Sequence, residues 1–249
     1  MHASTARQLV ALNRRFYTDF GDSFSATRGR IQPGVARILN GLNGTERILD
    51  LGCGNGQLAR ALASRQHSGS YLGLDFSIPL LEHAHPQPGG LSVAFRQADL
   101  TAIDWGDDPS ETAPGLLPSS FDLIFAFAVL HHIPGDELRL GMLRNARRLL
   151  APDGRFVHSE WQFLNSEKLK ARIQPWERAD LSSADVDGGD SLLDWRQGGS
   201  GLRYVHHFSG QELASLAAGS GFRVTETFFS DGQGGRLSLY QTWDTLESG

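Results

Sequence analysis

A single cysteine, Cys53, stands in the whole chain. One thiol forms no intramolecular disulfide and no cysteine-based zinc site. Its neighbours are glycines, so it reads as a small residue fitted to a tight turn and not as a nucleophile. Positive charge is scarce as well: 23 Lys and Arg against 28 Asp and Glu leave a net charge of −5. That balance excludes broad, non-specific polyanion binding and leaves room only for a local basic patch. No apolar run is long enough to span a bilayer, and the opening MHASTARQLVALNRRF carries arginines where a secretory signal needs an apolar core. A cytoplasmic protein with no membrane partner is expected. Internal repeats and low-complexity tracts are missing too, so the 249 residues read as one domain.

What is present is organised around residues 47–56, RILDLGCGNG. Ile48, Leu49 and Leu51 make a short apolar run, as in a strand covered on both faces. Gly52, Gly54 and Gly56 then allow a turn with positive φ and close approach of a ligand to the backbone. The helical spacing of Leu58, Ala61 and Leu62 follows. This GxGxG spacing is neither the GxGxxG nicotinamide fingerprint nor a phosphate loop ending in GK[ST]. Residues 71–75, YLGLD, read as a second strand whose terminal acid, Asp75, can accept both ribose hydroxyls of an adenosine. Residues 94–100, AFRQADL, read as a third strand ending at Asp99, and residues 121–129, FDLIFAFAV, as a fourth that runs into Leu130-His131-His132. The acids and the histidines thus gather at the carboxyl ends of parallel strands, where open α/β sheets bind ligands.

These motifs resemble those of class I S-adenosylmethionine-dependent methyltransferases over residues 45–163: DLGCGNG their first motif, LGLDFS their ribose acid, QADL their adenine acid, FDLIFAFAVLHHI their fourth strand. The resemblance implies an α/β fold: a Rossmann-like, seven-stranded, mostly parallel sheet with an antiparallel C-terminal hairpin and helices on both faces. It also implies a methyltransferase using S-adenosylmethionine and releasing S-adenosylhomocysteine. Asp75 would take the ribose hydroxyls, Phe76 would flank the adenine, Asp99 and Leu100 would meet it, and Ser77 would join the cofactor-binding set. Gly52, Cys53 and Gly54 would pass under the methionine part, Asp50 would sit near its ammonium, and Phe127 and Ala128 would line the wall. Arg28, with Tyr17 nearby, is the candidate for the methionine carboxylate, a surface arginine being the competing reading.

Around this core, residues 6–20 carry Leu9, Leu12, Phe16 and Phe20 at helical spacing, a polar segment runs from 21 to 28, and Pro33 opens a second helix. Residues 1–44 would cap the cofactor site or cover a sheet face. An acidic, proline-bearing loop is expected at 101–120, then a helix at 135–150 with Leu138, Met142 and Leu143 inward and Arg139 outward. Residues 164–201 are the least regular stretch, and 164–208 would form a substrate-side insertion, a mobile lid or plain surface loop being the competing readings. Residues 209–249 would close the sheet with a helix, capped by a Ser209–Glu212 box, and a hairpin. Two histidine pairs remain, His131-His132 and His206-His207, and no spacing recommends a metal site.

Three flanking stretches resemble tRNA wobble-uridine carboxymethyl methyltransferases: Phe24-Ser25-Ala26-Thr27-Arg28 with Pro33, Pro175-Trp176, and RYVHHFSGQEL from Arg203. Gln32 stands where that family has tryptophan. The resemblance implies transfer to a carboxylate, already an anion, held by Arg28, His131, His206 or Arg203 through charged hydrogen bonds. Arg28, His131 and His206 are therefore the catalytic candidates. The partners implied are tRNA and a small activating protein. A small-molecule acceptor is the alternative, and a non-catalytic cofactor-binding protein a further one.

Overall fold

The computed structural model describes residues 1–26, 29–85, 89–103, 105 and 116–246. Arg28, and most of the acidic loop expected at 101–120, lie outside the described residues. The apolar run at the start of the glycine motif is strand β1 (Arg47–Leu51), and its side chains alternate as a strand requires. Ile48 enters one apolar cluster while Leu49 and Leu51 enter the other. Parallel neighbours are β2 (Ser70–Asp75) on one side and β4 (Phe121–Phe127) on the other. With β3 (Ser92–Gln97), β5 (Leu150–Trp161), β9 (Phe222–Ser230) and β10 (Ser238–Thr245), they form a sheet in the order β3-β2-β1-β4-β5-β10-β9. Only β10 runs against its neighbours, pairing antiparallel with β5 and β9. This is the Rossmann-like methyltransferase sheet, with its antiparallel closing hairpin.

Helices cover both faces. Helices α2 (Pro33–Leu39) and α3 (Gln57–Ser64) pack Val35, Leu39, Leu58 and Leu62 with Ile48, Tyr71 and Phe125. On the other face, α5 (Asp136–Leu149) and α7 (Gly210–Gly219) pack Met142, Leu143, Leu213 and Leu216 with Leu49, Leu72 and Phe156. Among the described residues no helix is long and apolar enough to cross a membrane.

Four local expectations need correction. Helix α1 runs Ala3–Ala26, through the segment expected to be polar linker. Tertiary bonds hold that extra turn: Ser25 accepts from Asn55 Nδ2 at 2.7 Å, and Gly21 packs against Pro79 of α4 (Ile78–Glu82). Arg139 does not point outward but is buried, because it shares a helical face with Met142, Leu143 and Ala146. Its guanidinium donates to Ile133 O, Asp136 Oδ1 and Tyr204 Oη and lies over Phe208. Residues 164–208 are not a plain loop. After the short α6 (Glu167–Lys170) they form a second sheet, β6 (Ile173–Gln174), β7 (Asp190–Trp195) and β8 (Gly201–His206), in that order. Finally, half of the expected capping box forms. Ser209 Oγ accepts from Glu212 N at 3.1 Å, but the Glu212 carboxylate turns to His206 Nε2 at 2.7 Å.

Candidate active site

The turn after β1 is pinned by the end of β2. The main-chain N–H groups of Gly52 and Cys53 both donate to Leu74 O, at 2.7 and 3.0 Å. Gly52 has φ +71°, and a Cβ there would lie 2.6 Å from Val129 Cγ2. Gly52→Ala is therefore expected to lose about 1–3 kcal/mol of stability in denaturant unfolding, from a left-handed backbone and an overpacked contact together. Cys53 tucks its thiol beside Gly73, and burial pushes that thiol well above its ordinary pKa, so no thiolate is available at neutral pH.

The three acids sit at the ends of β1, β2 and just beyond β3. Asp75 accepts from Gly54 N at 2.9 Å and Ser77 N at 2.8 Å, which counters the upward pull of burial. Asp99 is half-exposed. Burial would raise it, but Thr101 and the ion pair with Arg14 of α1 hold it below the usual carboxylate value. Asp50 is buried and accepts from Tyr71 Oη; burial, with Asp75 near, pushes its pKa from 3.8 up to about 7. A raised carboxyl value means that the native state keeps a proton the unfolded chain has lost. Stability from that proton is full below the ordinary carboxylate range and is lost as pH rises towards about 7. The wild type minus Asp50→Asn difference in unfolding free energy should therefore fall across that window, by at most about 1.4 kcal/mol per pH unit, and level off above it.

The other half of the cleft carries basic groups. A helical turn, Leu130–His132, follows β4. His132 Nδ1 donates to Tyr204 O at 3.2 Å, which leaves Nε2 to accept from Tyr17 Oη at 3.0 Å. His131 is bonded through Nδ1 to the buried Glu160 at 2.8 Å. Arg203 of β8 is 5% exposed, its guanidinium 4.8 Å from the Trp161 ring centroid, 5.5 Å from Phe16 and 5.8 Å from Trp195. Asn13 of α1 fastens this wall. It accepts from Tyr204 N at 2.8 Å and donates to Tyr204 O and His132 O, both at 3.1 Å.

One cleft of about 470 Å³, a size suited to a cofactor, brings together Tyr17, Asp50, Gly52, Cys53, Gly54, Asp75, Phe76, Asp99, Leu100, Phe127, Ala128 and His131. Ser77 does not line it; its hydroxyl is buried and only its main chain serves Asp75. His206 does not line it either, which removes it from the catalytic candidates. Strand parity places it with Tyr204, opposite Arg203, where its nitrogens meet Asp190 at 2.6 Å and Glu212 at 2.7 Å. Sequence reasoning missed Asn13, Arg14, Trp161 and Glu160. Only Glu160 left a signal, as the i, i+2 partner of His158 on a strand.

A glycine turn at the topological switch between β1 and β4, with acids closing three successive strands, stands where an open α/β sheet binds its ligand. The chain matches the methyltransferase domain family over residues 24–227 and belongs to it. It is a methyltransferase of the S-adenosylmethionine-dependent class. It is 29% identical over 213 residues to a candidate methyltransferase of Encephalitozoon cuniculi, covering 85% of this chain and 87% of that protein. It is also 32% identical over 122 residues to the ubiquinone biosynthesis O-methyltransferase of Actinobacillus pleuropneumoniae, which covers 48% of this chain and 47% of that one. The match thus spans about half the length of this second relative. The fold is shared with an S-adenosylmethionine-dependent methyltransferase of Methanosarcina mazei (TM-score 0.64, 20% identity, 88% of this chain and 99% of that one). It is shared too with a chain from the complex of the Haloferax volcanii Trm112 methyltransferase activator with a methyltransferase (TM-score 0.65, 15% identity, 95% and 98%).

Proposed function

We propose that this chain transfers a methyl group to a carboxylate, making an ester, and that the carboxylate belongs to a modified uridine at the wobble position of a tRNA. The observation that carries the first half is the guanidinium of Arg203, buried among aromatic rings yet lining the cleft beside His131 and His132. A cation built into an apolar wall is what an anionic acceptor needs. The second half rests on the sequence resemblance of the flanking stretches.

The cradle fits the cofactor. Gly54 has open space where a Cβ would sit, and the carboxylates of Asp50, Asp75 and Asp99 all border the same cleft. Asp75 would hold the ribose hydroxyls with its remaining lone pairs, and Phe76 would flank the adenine. Asp99 and Leu100 would meet the adenine edge, Gly52–Gly54 the methionine part, and Asp50 its ammonium. Phe127 and Ala128 would form the wall beneath it, and Tyr17 would close the cleft from α1. When bound, S-adenosylmethionine supplies a methyl on a sulfonium, an already activated leaving group. The chain's own work is positional: Arg203 and His131 hold one carboxylate oxygen and leave the other in line with the methyl. No general base is needed for an oxygen that arrives as an anion. The acids at the ends of β1 to β3 and the guanidinium of Arg203 across the cleft give it a polarity matched to a cationic donor and an anionic acceptor.

A small-molecule acceptor is the second reading, favoured by the net charge of −5. Radiolabelled methyl transfer into total RNA and, separately, into the small-molecule fraction of an extract decides between them. The ester reading expects label released by mild alkali. Label in RNA supports the tRNA carrier; label confined to small molecules overturns it.

A further inference from the structure

Behind His131 stands a row of buried groups that methyl transfer to an anion does not by itself require. Glu160 Oε2 lies 2.8 Å from His131 Nδ1 and also accepts the His131 main-chain N–H at 3.0 Å. Its other oxygen is 2.8 Å from Nδ1 of His158. Glu160 and His158 have no solvent contact, whereas His131 borders the cleft. With Nδ1 turned to Glu160, Nε2 lies on the opposite edge of a ring that borders the cleft.

The question is how many hydrogens this row carries. A proton in the bond between Oε2 and Nδ1 can sit on either atom, as acid plus imidazole or as carboxylate plus imidazolium. In both arrangements Nε2 carries a hydrogen. Only if the pair gives up that proton does Nε2 become a bare, basic nitrogen. The geometry favours retention, because the Trp161 main-chain N–H also reaches Nδ1, at 3.3 Å, as it would an accepting nitrogen. Burial points the same way. It holds Glu160 well above the carboxylate range, against the opposing pull of the His131 N–H and Arg139, and keeps His158 neutral, at about 3.

We infer that Glu160 is a positioning residue that keeps a hydrogen on His131 Nε2, so that His131 meets the acceptor as a hydrogen-bond donor and not as a base. The inference deepens the carboxylate reading and rests on it. A hydroxyl or amine acceptor would need the bare nitrogen, whereas an anionic oxygen takes the donor. Among the described residues, the titratable or charged groups facing the pair are His132 beside it, Tyr17 through His132, Arg203 across Trp161, and His158 and Arg139 behind it.

Nitrogen-15 NMR of the full chain with labelled histidine, with S-adenosylhomocysteine added, reads both ring nitrogens of His131; a His131→Gln spectrum assigns them. In the wild type, Nε2 should show the shift of a protonated nitrogen at neutral pH. In Glu160→Gln the amide oxygen must occupy the place of Oε2 to accept the main-chain N–H. It then has no hydrogen to lend, so the imidazole hydrogen moves to Nδ1 and Nε2 becomes bare. Methyl transfer by that variant should fall about ten- to a hundredfold in kcat, and recover towards acid pH as the ring gains its second proton. A bare Nε2 in the wild type at neutral pH overturns the inference, and that spectrum decides even if the variant does not fold. Label stable to alkali would overturn the carboxylate reading instead, whatever the nitrogens report.

Discussion

Arg203→Met should lower kcat/KM for methyl transfer at least about a hundredfold while leaving affinity for S-adenosylhomocysteine within about twofold. The guanidinium is surrounded by Phe16, Trp161 and Trp195, so its charge acts in a wall with little water to screen it. A charged hydrogen bond made there is worth several times its value at the surface, which sets the size of the effect. Methionine has similar length and fills the aromatic cage, so the variant removes the charge without opening a cavity. Arg203→Lys should not restore activity, because an ammonium does not stack on indole rings as a planar guanidinium does. Calorimetry with the product cofactor beside steady-state transfer separates the two outcomes. Wild-type kcat/KM in the methionine variant would remove Arg203 from acceptor binding.

Asp75→Asn should weaken cofactor binding about a hundredfold or more, read by the same calorimetry. The reason is already visible without a ligand. Both carboxylate oxygens accept main-chain N–H groups, from Gly54 in the glycine turn and from Ser77 at the start of α4. An amide can put oxygen towards only one of them and must aim its NH₂ at the other. One buried donor loses its acceptor, and the turn that passes beneath the cofactor shifts with it. The lone pairs proposed for the ribose hydroxyls disappear at the same time. Thermal unfolding should record a lower midpoint even in the absence of cofactor.

The core of the fold was legible because its signals are local. The apolar run of 48–51, the glycines after it and the acids that close β2 and β3 each speak within a window of about ten residues. The first strands and the acids of the cleft follow from those windows, while the full seven-stranded sheet follows from the resemblance they carry. What was not legible depends on pairs far apart in sequence. Arg139 was expected outside because arginine usually is; helical phase put it inside, and Tyr204, 65 residues away, made that tolerable. His206 is a candidate through the family resemblance of its stretch, and strand parity turns it to Asp190 instead. The second sheet hid within a stretch rich in glycine and aspartate, whose strands are held partly by the ion pair of Arg172 with Asp194. Asn13 reads as an ordinary helix-surface residue until its partners on Tyr204 and His132 are seen.

Helix α1 touches both halves of the cleft. Through Arg14 it is tied to Asp99 on the side proposed for the cofactor, and through Asn13 and Tyr17 to Tyr204 and His132 on the side proposed for the acceptor. Two ligands that both need the same helix docked are thermodynamically linked. A ligand that strengthens the docking of α1 on one half of the cleft strengthens the wall it presents to the other. The coupling is reciprocal by necessity: an acceptor that tightens the cofactor must be tightened by it to the same degree. The enzyme's two substrates would then report on one another without touching.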